Sequence, residues 1–529
     1  MKRNDYPSIF NDVTGPVMRG PSSSHCAGAL RIGRMIRDLM QGSIRDARIV
    51  YDPNGSLVTT HESQGSDMGL YSGFLGYDAD DERLLAYKEG LKQSGIRVEV
   101  CYESIGATHP NTYHIEVKNE LTAHTVKAIS TGGGMIEIIE IDGAEVSMKG
   151  DYVETLFFLH HSSDPLVEKI QTMLEGESVL MKKGENPFLH ISTSREIPSS
   201  IIAEITQLTH AASIVVIQPV LPVLARKGMT VPFSTSEEML KFNEGKNLAL
   251  WELAVAYEAE RGNFTGEYVI DKMREIVQLL RRSLDSGLKG TDYADRILPV
   301  QSLRFKTKME ENRLVEGSVL NRIILYVTAM LEVKSSMGII VAAPTAGSCG
   351  TLPGALLGTG DALHLDDDEI VKAMLAAGVI GVFIAERSTF AAESAGCQAE
   401  CGSAAGMAAA GLVHLAGGTL QQSLSAASFA LQNSFGMTCD PIANRVEAPC
   451  LGKNVMAAVN ALACANMALA DYQHLIPLDE VLQAFDAVGR SLPYTLRCTG
   501  LGGLSITPSA KRIEGQLQRK AKGDSETSS

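Results

Sequence analysis

The sequence predicts a multidomain α+β protein: an N-terminal α/β domain over 1–150, a ferredoxin-like βαββαβ unit over 151–222 and an all-α domain over 233–508. Three observations carry that prediction. The chain has 529 residues, too many for one ordinary domain, so two to four are expected. Short β-branched runs alternate with helical stretches in the first part, then give way past about Phe233 to Ala, Leu, Met and Gly. Hydrophobic residues make up 45% and charged residues 21%, which suits a large buried core and excludes disorder for most of the chain.

In the first domain the runs 47–52 (ARIVYD), 96–103 (IRVEVCYE) and 112–117 (TYHIEV) read as strands, and Ala27 to Met40 and Asp81 to Ser94 as helices. TGGG at 131–134 reads as a turn before IEIIEI, with no following helix that would cup a phosphate. The middle unit reads as strand 152–161, helix 164–176, strands 178–183 and 188–194, helix 199–211 and strand 213–220. Beyond it, helix formers interspersed with small residues indicate tightly packed helices. The polar tail 509–529 is expected to be disordered.

Charge and hydropathy exclude two classes of partner. With 47 Lys+Arg against 62 Asp+Glu the net charge is −15, which argues against a general nucleic-acid binder. The longest apolar run, Ala373 to Ala385, falls short of the roughly 18 residues a bilayer requires, so it reads as a buried helix and no membrane partner is expected. No apolar stretch follows the N-terminal MKRNDYPSIF, so no secretory signal is read and the cytoplasm is the expected location.

Four segments put glycine, proline and cysteine into the helical part: 343–356 (APTAGSCGTLPGAL), 394–411 (SAGCQAECGSAAGMAAAG), 433–454 (NSFGMTCDPIANRVEAPCLGKN) and 497–511 (RCTGLGGLSITPSAK). Glycine and proline cost about 1 and 3 kcal/mol relative to alanine inside a helix, and broken helices of this kind usually line a site. The chain has nine cysteines, most of them in its last third. Clustered cysteines without an oxidising compartment suggest metal binding or catalysis, and thiolates are the ligands of iron–sulfur clusters. A free cysteine is equally a small buried hydrophobe, and no CxxC spacing here argues otherwise.

These segments resemble the iron–sulfur-dependent L-serine dehydratases. GCQAECGSA, TCDP and EAPC are similar to that family's GCQ(A/G)EVGSA … CDPVxGxVxxPC, and 337–356 (MGIIVAAPTAGSCGTLPGAL) to its MGxIxAxPTAGSAGxxPG. GPSSSHCAGALRIG at 20–33 resembles GPSSSHT, and HPNT at 109–112 and TGLGGL at 499–504 are also similar. The matches follow family order along nearly the whole chain, as a β-subunit-like part, an ACT-like regulatory part and an α-subunit-like part fused.

The resemblance implies a 4Fe-4S cluster on Cys397, Cys439 and Cys450, with one iron open as a Lewis acid for β-elimination from a small-molecule amino-acid substrate. Cys349 stands where relatives have Ala and Cys401 where they have Val, so both read as packing residues, as do Cys26, Cys101, Cys464 and Cys498. Asp440 and Pro441 are expected to fix the loop of the second ligand. Ser22, Ser23, Ser24, Thr345 and Ser348 are expected to bind substrate, the serines also capping the helix that starts near Ala27. A cytoplasmic homo-oligomer, a dimer, serving amino-acid degradation and gluconeogenesis is implied.

Two departures stand out. Where many relatives carry GHGTD, this chain reads Ser63-Gln64-Gly65-Ser66-Asp67, and glutamine cannot act as a general base. Either His61 or His25 does that work, with Gln64 and Asp67 in the substrate loop, or the substrate or activity has changed. Some relatives end in a cysteine that occupies the active site; this sequence reads DSETSS at 524–529, so self-inhibition by a terminal thiol is not expected. A pyridoxal-phosphate enzyme finds no lysine and phosphate-loop pair here. The alternative from another class is a non-catalytic iron–sulfur and amino-acid sensor.

Overall fold

The structure, a computed structural model, describes residues 6–160, 165–175, 177–226, 228–293 and 295–526. It is a mixed α+β, multidomain protein that divides into two units, one of residues 24–230 and one of residues 6–23 with 231 onward.

The first unit contains a six-stranded sheet, β1 (Asp46–Tyr51), β2 (Arg97–Tyr102), β3 (Thr112–Lys118), β4 (Ala123–Gly132), β5 (Met135–Ile141) and β6 (Ala144–Met148), in the order β2-β1-β3-β4-β5-β6. Only β1 and β2 pair in parallel. The expected α/β domain is therefore largely antiparallel, because β3 to β6 are joined by turns too short for a crossover helix. TGGG is one of those turns: Gly132, Gly133 and Gly134 all have positive φ, a region glycine enters without a steric penalty. Helix α1 (Gly28–Leu39) buries Ala29, Ile32, Met35, Ile36 and Leu39 at helical spacing, in one cluster with Ile49, Tyr51, Tyr113 and Ile115 of the sheet. The predicted helix over 81–94 is a 3₁₀ turn, Glu82–Ala86, running into Tyr87–Ser94.

A second sheet follows as β7 (Val153–Phe158), β8 (Ser178–Lys182), β9 (Phe188–Thr193) and β10 (Ser213–Ile217), ordered β10-β7-β9-β8 with every pair antiparallel. Helices α2 (Ser66–Leu75), α3 (Pro165–Met173) and α4 (Ser199–Thr209) complete this unit's main elements, and β7-α3-β8-β9-α4-β10 is the expected βαββαβ order. The sheet is apolar on both faces. Leu156 and Phe158 join the core of the first sheet, whereas Phe157, Leu189 and Ile191 pack with Ile170 and Ile205 of α3 and α4. Part of the predicted strand and helix ends, 161–164 and 176, lies outside the described residues.

The second unit takes in residues 6–23. Ile9, Phe10 and Val13 are buried, and α5 (Leu250–Gly262) holds their segment. Glu258 accepts Ser8 Oγ at 2.5 Å and Ile9 N at 2.8 Å, Tyr257 donates to Pro7 O at 2.8 Å, and Arg261 donates to Tyr6 O at 2.7 Å. Val17–Met18 then pairs antiparallel with Ile340–Val341. Apart from that two-residue pairing and a single bridge between Cys439 and Arg497, the regular structure among the described residues of 233–508 is helical. Its main helices are α6 (Gly266–Leu288), α7 (Ser318–Ser335), α8 (Thr351–Ala362), α9 (Asp367–Arg387), α10 (Ser403–Leu415), α11 (Leu420–Gln432), α12 (Cys450–Leu469) and α13 (Leu478–Ser491).

The apolar run 373–385 is the middle of α9, buried among α5, α6 and α10. Among the described residues no helix is long and apolar enough to cross a membrane. At the end of the described chain Pro508–Glu526 is a helix, α14. Proline at its first position and a run of Lys, Arg, Gln and Glu favour that conformation, whereas polarity alone suggested fraying. Residues 527–529 lie outside the described ones.

Candidate metal centre and histidine pocket

In the helical unit the chain breaks α-geometry at Gly396 (φ 70°, ψ −172°) to present Cys397. A Cβ there would lie 2.7 Å from both Met437 O and Leu492 Cδ1, so only glycine fits. Gln398 locks the turn: its N donates to Met437 O at 3.0 Å, its Nε2 to Phe485 O at 2.6 Å, and its Oε1 accepts Gly436 N at 2.9 Å. A π-turn over Gln398–Gly402 then carries Glu400 and Cys401.

Cys439 is held by a one-bridge pairing with the segment 496–498: its N donates to Leu496 O at 2.8 Å and its O accepts Cys498 N at 3.0 Å. Asp440 and Pro441 do fix this loop. Asp440 Oδ1 accepts Lys453 Nζ at 2.6 Å, Asp440 Oδ2 accepts Leu504 N at 2.8 Å, and Pro441 O accepts Ser505 Oγ at 2.8 Å. TGLGGL and TCDP, distant in sequence, thus form one loop pair.

Ligand atoms of Cys397, Glu400 and Cys439 lie within 4.8 Å of one another, a geometry that could hold a metal. Cys397 shares side-chain hydrogen bonds with Cys401 and Cys439; with the Lys453 charge they outweigh burial and hold its thiol well below the usual range. Cys401 and Cys439 move the other way, first through those same hydrogen bonds and then through burial. Burial and then the Cys397 charge push the Glu400 carboxyl up to about 8. Burial opposes the Lys453 charge, but Cys397 and Asp440 raise its pKa.

Cys450, at the N-terminus of α12, is buried and pushed up to about 12 by burial, then by the Cys397 charge. Its sulfur is not in the mutually close group, whereas Cys401, read from sequence as packing, touches Cys397, and Cys498 shares a hydrogen bond with Cys439. Asn454 ties the two sides, donating to Cys450 O at 2.9 Å, Gly347 O at 2.8 Å and Cys401 Sγ at 3.4 Å. Cys349 and Cys464 are buried thiols pushed up to about 11 by burial.

The PTAGS loop abuts this centre. Thr345 caps the 3₁₀ turn Ala346–Ser348 and donates to Glu400 Oε1 at 2.7 Å. Ser348 Oγ donates to Ala343 O at 3.1 Å, and Ser23 Oγ accepts Ala346 N at 3.2 Å. Gly347 leaves room for the carboxylate, since a Cβ would meet Glu400 Oε1 at 2.4 Å. Sequence reasoning did not single out Glu400. A carboxylate three residues after a candidate ligand, one helical turn on, was the available signal.

The division of the chain falls between Ser23 and Ser24, so Ser22 and Ser23 belong to the helical unit and Ser24 and His25 to the first. The helix-cap expectation fails: Ala27 occupies the cap of α1, with no side-chain cap bond. A π-turn, Ser23–Ala27, leads into the helix instead.

In the first unit the two candidate bases differ. Thr60 Oγ1 donates its one proton to Ser56 O at 2.7 Å, so at 2.9 Å from His25 Nε2 it accepts, and His25 carries a proton on Nε2. His25 Nδ1 lies 3.3 Å from Ser24 Oγ. His61 follows the helical turn Leu57–Thr60, and the chain reverses through Gly65 (φ 90°) into α2, which brings Asp67 back onto it. Both Asp67 oxygens lie at 2.9 and 3.0 Å from His61 Nδ1, which therefore holds the proton. His61 Nε2 then accepts from Tyr102 OH at 2.8 Å. Gln64 is buried in the same turn, its N donating to Thr60 O at 2.8 Å. HPNT supports this pocket from below: Pro110 O accepts Ser56 N at 2.9 Å. Tyr102 was also missed, because nothing in the sequence joins it to His61.

The family described as serine dehydratase alpha chain matches residues 245–505. The chain is 34% identical over 281 residues to the L-serine dehydratase alpha chain of Peptoniphilus asaccharolyticus, covering 53% of this chain and 96% of that protein. It is 26% identical over 498 residues to the L-serine dehydratase of Streptomyces coelicolor, covering 92% and 96%, and 26% identical over 502 residues to that of Helicobacter pylori, covering 92% and 96%.

Proposed function

This chain belongs to the L-serine dehydratase family, with the parts fused, and on that premise we propose that it eliminates water from L-serine or a related β-hydroxy amino acid, giving a 2-oxo acid and ammonia. The observation that carries the reading is the group of buried Cys397 and Cys439 with half-buried Glu400 beside the PTAGS loop. The donor set suits iron and sulfur: buried thiols, one of them favoured as thiolate, with a lysine charge at hand. Cys397, Cys439 and Cys450 would hold a 4Fe-4S cluster, which supplies Lewis acidity toward the substrate hydroxyl.

The protein's own residues take the remaining tasks in this proposal. Hydroxyls of Ser22, Ser23, Ser24, Thr345 and Ser348 bind and orient the substrate carboxylate. His61 is the base of choice over His25. Asp67 fixes its protonated nitrogen and stabilises the imidazolium formed on proton uptake. Loss of the Cα proton and of the β-hydroxyl leaves an enamine, which becomes an imine and hydrolyses to the keto acid. The βαββαβ unit is read as ACT-like, and a cytoplasmic dimer completes the proposal.

The test is anaerobic purification with iron and sulfide analysis, followed by a keto-acid assay over a panel of β-hydroxy amino acids and light scattering for the dimer. Brown, active protein supports the reading. Brown protein inert on the whole panel would point to the sensor instead.

A further inference from the structure

We propose that Lys334 is a positioning residue of the metal centre: its buried ammonium supplies the positive charge that balances the loaded thiolates, and it ties down the loop that presents Cys450. The inference rests on the iron–sulfur reading proposed above and deepens it. Lys334 stands in the last turn of α7 and is fully buried. Among the described residues it makes one hydrogen bond, to Val446 O at 2.6 Å, and no ion pair.

A buried ammonium with three protons, one neutral acceptor and no carboxylate partner is costly, because the solvation by water is lost and no opposite charge replaces it. The C-terminal end of α7 favours a cation, but with a partial charge of only about half an elementary unit. The groups on which the Lys334 charge acts belong to the metal centre and its rim. At Cys349, Cys450 and Glu400 burial raises the pKa and the Lys334 charge opposes it. Lys453 acts on Cys397, whereas at Cys450 Lys334 is the larger of the two positive charges. In its resting and reduced states a 4Fe-4S core on three thiolates is a net anion, so loading the centre gives the ammonium the counter-charge that it otherwise lacks.

The same amine orders the approach to Cys450. Val446 lies in the loop that runs into α12, and its neighbours are tied as well. Arg445 donates to Asp295 O at 2.8 Å, and Glu447 Oε2 accepts Ile297 N and Leu298 N, both at 3.1 Å. Lys334 adds a tie from α7, so one side chain couples the position of the Cys450 loop to the charge beside it.

The test uses full-length protein reconstituted anaerobically with iron and sulfide, as wild type and as Lys334→Arg, Lys334→Gln and Lys334→Met. Arginine keeps the charge and donors, glutamine keeps a donor for Val446 O without the charge, and methionine keeps neither. Iron release to a chelator should be about 10 to 100-fold faster in the glutamine and methionine variants than in wild type, with arginine nearest to wild type. The midpoint potential of the cluster, followed by electron paramagnetic resonance, should shift to more negative values in both neutral variants and stay near wild type with arginine, because a lost positive charge disfavours the more anionic reduced state. Either readout unchanged in the glutamine variant overturns the counter-charge, since a residue that merely ties the loop would leave the potential where it was. Should the methionine variant fail to fold by circular dichroism, glutamine and arginine decide. Wild type that binds no iron overturns the iron–sulfur reading and this inference together, whereas loaded wild type with unimpaired variants overturns this inference only.

Discussion

Asp67 holds His61 Nδ1 with both carboxylate oxygens, at 2.9 and 3.0 Å, across a six-residue turn that glycine at position 65 makes possible. The pair fixes one tautomer and aims Nε2 out of the turn. Asp67→Asn should keep the fold but lower kcat on the order of 10² or more, because an amide does not enforce the tautomer or stabilise imidazolium. His61→Ala should lose as much. Steady-state rates with the circular-dichroism melt as control decide it, and full activity of Asp67→Asn would exclude His61 as base.

Gln64 is buried in the same turn, at 1% exposure. If His61 has taken over the base role, Gln64→His should leave the elimination rate unchanged or lower it, since a second ring must be accommodated in a closed space. A rise of tenfold or more in kcat would show instead that this protein is a slow enzyme lacking its base.

Iron content separates the cysteines. Cys397→Ser, Cys439→Ser and Cys450→Ser should each yield protein with less than the full iron and sulfide complement after anaerobic reconstitution, whereas Cys349→Ser should retain it. Cys401→Ser is the sharpest case, because Cys401 touches Cys397 although Cys450 is the proposed ligand. Iron retained in Cys401→Ser and lost in Cys450→Ser supports the assignment, and the reverse refutes it.

Gly396 cannot carry a side chain without strain. Gly396→Ala should destabilise the helical unit by about 1–3 kcal/mol, from the left-handed φ and the 2.7 Å contacts its Cβ would make. Chemical denaturation reads that loss, and iron binding should fall with it because Cys397 is the next residue.

Acid should loosen the first unit at Asp142. Burial favours its neutral form, but hydrogen bonds from His124 at 2.8 Å, Asn186 at 2.9 Å and Thr125 N at 2.8 Å outweigh that and hold its pKa below the ordinary carboxyl value. A lowered folded-state pKa contributes stability that is present above the unfolded value of about 3.9 and is lost as pH falls through the folded one. Melting temperatures of wild type should exceed those of Asp142→Asn at pH 6, and the gap should narrow below about pH 4.

Much of this protein is determined by sequence-local physics. Short apolar runs in 152–220 specify the βαββαβ unit because successive side chains of one buried strand must find cores on opposite faces, and Phe157 and Phe158 do so. The small, apolar run 373–385 specifies a buried helix in the same way. The glycine and cysteine segments mark the group of thiols that could hold a metal, since glycine and proline break the helices there. What only the tertiary structure decided are the pairings between residues far apart in the chain. Ile9 and Val13 could have served either unit, and packing on α9 assigned them to the helical one. Glu400 meets Thr345, Cys401 turns onto Cys397, and Tyr102 caps His61 because loops and strand registers bring them together. Such contacts depend on distances between segments, which no local propensity encodes, and they are what distinguish a reactive side chain from a packed one.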